Sequence, residues 1–286
     1  MNNFPEFFRI PLADWIDAIM DWLLTQFSDL FDAIGHVLLM MLLYIERFFL
    51  WLPWWVVILV VGFLSWRIMR KWWMGLIMAA LLALIGSFGY WELSMMTLAL
   101  TTSAVIISLA VGIPIGIVMA RSDLAESIIR PILDAMQTMP SFVYLIPALM
   151  LFGLGKVPAL FATLIYAVPP VIRLTNVGIR QVSQNVVEAA RAFGASSRQI
   201  LFDVQMPLAV PSIMVGINQT TMMALAMVVI ASMIGARGLG LEVLLAINRI
   251  EVGRGFEAGI SIVFLAIIID RLTHALAARQ EKMLTP

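Results

Sequence analysis

From Ile16 the apolar side chains return every three or four residues, through Ile19, Leu23, Phe27, Leu30, Ile34 and Leu38, while Asp14, Asp17, Asp21, Ser28 and Asp32 fall largely between them. That period places one apolar stripe along one helix face and predicts an amphipathic N-terminal segment over 1–47, not a membrane span. Apolar runs follow at about 48–66, 72–90, 96–120, 139–155, 157–175, 207–234 and 258–278. Most reach the roughly 20 residues that cross a bilayer, which predicts about seven spans in an all-α membrane protein. The fourth and fifth runs are interrupted by Pro140, Pro147, Pro158, Pro169 and Pro170. Broken helices at membrane depth are tolerated where they pack inside protein or line a cavity, so this pair are candidate walls of a pathway, with ordinary proline kinks as the plainer alternative.

Between the fifth and sixth runs lies the longest polar stretch inside the apolar region, 176–206. Its Val187–Ala192 segment is made of good helix formers and is followed by Gly194, suited to a left-handed cap. Ser196 and Gln199 have capping-box spacing and open a second short helix with Ile200, Leu201 and Val204 on its apolar side, before Pro207 starts the sixth span. Two such short helices bury little of their own surface. They must pack on the bundle or present a face to a partner.

Composition sharpens this picture. The 286 residues are 62% apolar and 13% charged, with mean hydropathy +0.98. A soluble domain averages about 25% charged residues, so soluble and disordered classes are excluded. The absence of cysteine removes disulfide scaffolds, thiolate metal centres and thiol nucleophiles. Zero net charge without a basic stripe gives no footprint for nucleic acid. His36 and His274 are the only histidines and share no ligand spacing, so no metal site is expected. With no Gly-x-Ser-x-Gly elbow and no paired intramembrane aspartates, catalytic residues are not expected either.

Basic residues set the expected orientation. Twelve of the eighteen (Arg67, Arg70, Lys71, Arg121, Arg130, Arg173, Arg180, Arg191, Arg198, Arg271, Arg279 and Lys282) fall on one side of a seven-span layout. Arg9, Arg47, Lys156, Arg237, Arg249 and Arg254 fall on the other, which predicts N-terminus out, C-terminus in and loop 176–206 in the cytoplasm. Asp14, Asp17 and Asp21 interrupt any signal-peptide pattern. The first 47 residues carry seven acids against Arg9 and Arg47, which speaks for packing along the edge of the bundle over adhesion to anionic lipid.

Spans three and six hold no ionisable residue, and Lys156 and Asp270 lie near predicted span ends. Ion-driven carriers build their coupling from intramembrane ionisable groups, so the driving force is expected to come from elsewhere. No Gly-x-x-x-x-Gly-Lys-Ser/Thr loop is present, and ATP must be bound by another subunit if ATP is the source. All nine tryptophans precede span three, the pattern of an interfacial belt more than of a ligand cage. Phe142, Tyr144 and Tyr166 on the proline-broken pair, and Asn218 and Thr221 in span six, are the candidate pathway residues. Packing and interhelical hydrogen bonding are the alternative roles for them.

Glu188-Ala189-Ala190, three residues, Gly194, nine residues, then Val204-Gln205-Met206-Pro207 resembles the EAA loop of ABC importer permeases, with Val204 and Met206 replacing the usual Ile and Leu. The similarity extends over about 94–278, preceded by two accessory helices in 48–90 and followed by a tail at 279–286. Gln137–Pro147, Phe152–Gly155, Val168–Arg173 and Met233–Gly240 are further similar to glycine betaine and proline betaine permeases. The resemblance implies a type I ABC importer transmembrane domain in the bacterial cytoplasmic (inner) membrane. It also implies an ATPase-coupling role for Glu188, Ala189, Ala190, Gly194 and Pro207. The implied partners are a cytoplasmic ATP-binding subunit, a soluble substrate-binding protein outside, a second copy of the chain and membrane lipid. Importers of choline, carnitine or an amino acid share the loop; the lack of intramembrane carboxylates counts against a secondary transporter, and a tension-gated channel would leave the loop without a task.

Overall fold

A computed structural model describes residues 10–284, with side chains through Ala277. Glu6, Arg9, Arg279 and Lys282, which entered the charge counts, lie outside the described side chains, as does the expected tail 279–286. Helix α1 spans Leu12–Trp51, α2 Trp54–Met69, α3 Trp72–Ser87, α4 Trp91–Arg121 and α5 Asp123–Thr138. After a single tight turn at Ser141–Tyr144 come α6 Leu145–Phe152, α7 Lys156–Ala167 and α8 Pro169–Arg180. The remaining helices are α9 Gln184–Ala192, α10 Ser197–Gln199, α11 Met206–Ala231, α12 Leu239–Arg249 and α13 Val252–Leu284. Among the described residues there is no strand.

Five helical stretches are long and apolar enough to cross a membrane, or six if the pair bent by 110° between Thr138 and Ser141 counts as one span. The expected runs at 48–66 and 72–90 correspond to two further, shorter apolar helices outside that count. The two accessory runs form helices of 16 residues each, about 24 Å at 1.5 Å per residue, shorter than the roughly 30 Å hydrocarbon core. Pro53 ends the preceding helix and Arg70, at φ +57, reverses the chain between them. The two pair through glycines: a Cβ on Gly75 would stand 2.6 Å from the Gly62 carbonyl oxygen.

The N-terminal helix extends a few residues beyond the expected segment. The helix does not stop at 47 but runs to Trp51, because nothing before Pro53 removes a backbone donor, and it is itself one of the five span-length stretches. The expected packing along the bundle edge is met only from Leu38 onward, where Leu38, Leu42 and Glu46 are buried one turn apart. Residues 11–30 leave their apolar stripe uncovered, including Trp15, Ile16, Ile19, Trp22 and Leu30.

The centre of the bundle is built from α4, α7, α8, α11 and α13. Small residues let the backbones close in: a Cβ on Gly112 would meet Val171 Cγ1 at 2.5 Å, and one on Gly116 the Ile172 carbonyl oxygen at 2.7 Å. Apolar side chains meet apolar lipid as readily as each other, so close van der Waals approach of this kind holds helices together in a membrane. Several buried hydroxyls donate within their own helices, as Thr101 to Thr97, Ser103 to Ala99 and Thr163 to Ala159 carbonyls, whereas those of Ser65, Ser94, Ser108, Thr175 and Thr220 have no partner within hydrogen-bond distance.

Candidate functional site

The loop after α8 is anchored at its base. Arg180 Nη1 lies 2.8 Å from Asp123, and its Nη2 donates to the Met119 carbonyl at 2.9 Å and pairs with Glu126 at 3.1 Å. Asn176 extends the network by donating to Glu126 and accepting from Arg180. One guanidinium therefore fixes the end of α8 against the junction of α4 and α5.

From that base α9 projects with a two-sided face. Val187 is buried on Val182 and Ile200, with Ala190 and Ala195 packed beside them. Glu188 and Ala189 face outward. Gly194 adopts φ +85, Ala195 N–H donates to the Ala190 carbonyl at 3.0 Å and Gly194 N–H to Arg191 at 2.9 Å. This pair of bonds is a Schellman cap, the geometry for which the glycine was singled out. Ser196 and Gln199 form the expected capping box, with Ser196 N–H donating to Gln199 Oε1 at 2.9 Å.

Sequence reasoning missed the most exposed aromatic side chain of this element. Phe193 is 93% exposed at the tip, immediately before the cap, and no atom stands within 4 Å of where a Gly194 Cβ would be. The signal was a large aromatic at the last position of a helix whose other face was already filled by Val187. Also unforeseen is the wide helical turn at Ile200–Gln205 leading into α11. Pro207, in the first turn of α11, has no N–H and its ring crowds the carbonyl one turn back, which favours an expanded turn just before it.

The candidate pathway residues do not converge on one cavity. Tyr144 and Tyr166 meet edge to face with centroids 6.1 Å apart, and the Tyr144 hydroxyl donates to the Met136 carbonyl, which ties the tight turn at Ser141–Tyr144 back to α5. Phe142 is exposed. Asn218 donates to Asp270 at 3.0 Å and accepts from Thr273, joining α11 to α13. Thr221 bonds its own helix at Ile217 and borders an apolar cavity of about 290 Å³, with Thr101 and Thr102 its other polar neighbours. Eight of the nine tryptophans are exposed, in keeping with a belt.

At the opposite end from the α9 loop, Arg254 pairs with Glu242 at 2.5 Å and Glu251 at 3.1 Å, holding α12 on α13. Neighbouring Tyr90 has its phenol pushed above its usual range, first by burial and then by the Glu242 and Glu257 carboxylates. Lys156, near a predicted span end in the sequence, bonds both carboxylate oxygens of Glu46.

Residues 112–282 match the family model described as binding-protein-dependent transport system inner membrane component. The chain is 48% identical over 268 residues to the glycine betaine/proline betaine permease ProW of Escherichia coli, covering 93% of this chain and 75% of that one. It is 48% identical over 282 residues to the glycine betaine/carnitine permease GbuB of Listeria monocytogenes, with 96% and 97% covered. The glycine betaine permease OpuAB of Bacillus subtilis is 44% identical over 275 residues, with 96% of each covered. Among solved structures, an inward-facing methionine transporter MetNI superposes with TM-score 0.57 at 19% identity, over 65% of this chain and 93% of that one. The all-helical chain has that fold, a type I ABC importer transmembrane domain. The chain belongs to the inner-membrane components of binding-protein-dependent ABC transport systems.

Proposed function

We propose that the chain forms the membrane pathway of an ATP-driven importer for glycine betaine, proline betaine or a similar quaternary-amine osmoprotectant. The observation that carries the substrate class is the near-half identity, over almost the whole length, to permeases whose names specify betaines. Two copies would face each other, with an ATP-binding subunit under each α9 loop and a soluble binding protein on the far side. The N-terminus then lies outside and the C-terminus in the cytoplasm. ATP is bound and cleaved by the partner, while this chain does no chemistry.

Coupling is supported by the build of the loop. Phe193 and the bare cap at Gly194 form a convex tip, of a size to seat in a groove, with Glu188 and Ala189 beside it. Closure of the two ATPases on ATP would draw the loops together. The Arg180 anchor would carry that movement into α8 and α4 as a rigid-body switch between access states.

The test is uptake of labelled glycine betaine at high external salt, in cells lacking the chain and complemented with wild type or Phe193→Ala. Wild type is expected to restore uptake and the variant to lose at least about tenfold, as for a buried aromatic anchor worth roughly 2 kcal/mol at an interface. Normal uptake by Phe193→Ala would remove the tip from the coupling surface. Restoration of choline or carnitine uptake in place of betaine would shift the substrate within the class, a shift that choline and carnitine permeases among the relatives make concrete.

A further inference from the structure

Two glycine turns meet at the end of the bundle opposite α9. One joins α6 to α7 and holds Gly153 at φ +69 and Gly155 at φ +139; the other precedes α12 and holds Gly235 at φ +104 and Gly238 at φ +142. Gly155 N–H donates to the Ile234 carbonyl at 2.9 Å, and a Cβ on Gly235 would lie 3.1 Å from the Gly155 backbone. One backbone hydrogen bond and a glycine-on-glycine contact join the two turns. Four glycines at positive φ make each turn easy to reshape, since glycine crosses that region at no steric cost. The second turn is fixed on its other side, where Leu239 N–H donates to Thr97 Oγ1 of α4 at 2.9 Å.

The first turn has a different anchor. Lys156, the residue after Gly155, places its Nζ 2.7 Å from both carboxylate oxygens of Glu46 on α1. The two side chains are only 26% and 11% exposed, and they lie 110 residues apart in sequence. Desolvation offsets much of the attraction of such a pair, so it adds little stability, but separating two half-buried charges is costly, which keeps the two residues together. A single accessory helix is thereby held to the joint between two flexible turns.

We infer that Glu46 and Lys156 are a positioning pair through which α1 sets the resting geometry of the joint between the α6–α7 turn and the turn before α12. In the importer reading, on which this inference rests, that joint lies at the outer end of the pathway and must reshape when access changes. The pair then limits how far the first turn travels.

The measurement is backbone amide exchange on the complete transporter, with its ATPase and binding protein, in lipid nanodiscs, alongside ATPase stimulation by liganded binding protein. Glu46→Gln and Lys156→Met are each expected to speed exchange by about tenfold in both turns, 153–157 and 234–238, and to lower the stimulation severalfold. Exchanging the charges, Glu46→Lys with Lys156→Glu, is expected to restore both readouts to within about threefold. Faster exchange in 153–157 alone would reduce the pair to a local fastening and overturn the inference. Failure of the exchanged pair to restore coupling would do the same. If wild type transported no betaine while both turns responded together, the substrate reading would fall and the positioning role would stand.

Discussion

Gly194→Asp is expected to abolish uptake, by at least about a hundredfold, while the chain still inserts and folds. The local effect of the substitution is small. Gly194 sits at φ +85 with nothing within 4 Å of a built Cβ, and aspartate visits the left-handed region more readily than most residues, so the strain is about 1 kcal/mol. Nor does the apolar support of the loop change, since Val187, Val182 and Ile200 lie on the other face. Under the proposed docking the loss comes from the partner contact, because the tip would carry a carboxylate into a surface otherwise made of Phe193 and a bare glycine. An unpaired charge buried at an interface costs several kcal/mol, and about 2.7 kcal/mol already equals a hundredfold. Gly194→Asn separates the causes, because it matches aspartate in shape and in tolerance of positive φ but carries no charge. It is expected to keep most of the uptake. Equal loss in both variants would assign the effect to the backbone cap and not to docking. Uptake is the readout, with membrane-inserted protein quantified in the same cells.

The legibility of this loop in the sequence has a physical reason. A cap glycine, a capping box and an N-terminal proline are local rules: each works through bonds to residues fewer than six positions away, as Ala195 to Ala190 and Ser196 to Gln199 show. The apolar runs were legible for a similar reason, since bilayer thickness fixes how long they must be. What sequence alone did not yield depends on distant partners. Glu46 counted as one more acid of an amphipathic tail until the fold placed Lys156 beside it. Asp270 was visible only as an acid near a span end, and its bond to Asn218 on another helix came with the fold. The tail boundary at 47 failed because amphipathic periodicity fades gradually, whereas the helix ends only where Pro53 stops it. Apolar length alone did not show that the first two runs form helices of only 16 residues, nor that the chain bends by 110° between Thr138 and Ser141. Phe193 was visible in the sequence throughout, but an exposed aromatic and a core aromatic look alike until the opposite face of its helix is known to be filled.

Gly116→Val is expected to have the second large effect, and on assembly of the bundle more than on coupling. The α4–α8 contact is a backbone-to-backbone approach: a Cβ at 116 would lie 2.6 Å from Thr175 Cβ, 2.9 Å from Thr175 Cγ2 and 2.7 Å from the Ile172 carbonyl oxygen. A flexible side chain could swing away from such an intrusion, but a carbonyl oxygen on a neighbouring helix moves only with its helix. Overpacking a core by a few methyl groups typically costs 1–3 kcal/mol when side chains can yield, about the lower bound here. Valine adds a branch beyond Cβ, and the enforced separation would spread to Gly112, whose Cβ position is 2.5 Å from Val171. Against a total stability of roughly 5–15 kcal/mol, the expected result is a sharp drop in membrane-inserted protein and in its thermal midpoint in detergent. The contrast is Gly253→Ala in the first turn of α13, where nothing stands within 4 Å. There alanine is the better helix former by up to about 1 kcal/mol, and the midpoint is expected to hold or rise. A Gly116→Val protein as abundant and as heat-resistant as wild type would show that α4 and α8 do not meet through their backbones. The rigid link drawn here from Arg180 to the interior would then lose its support, because it requires those two helices to move as one.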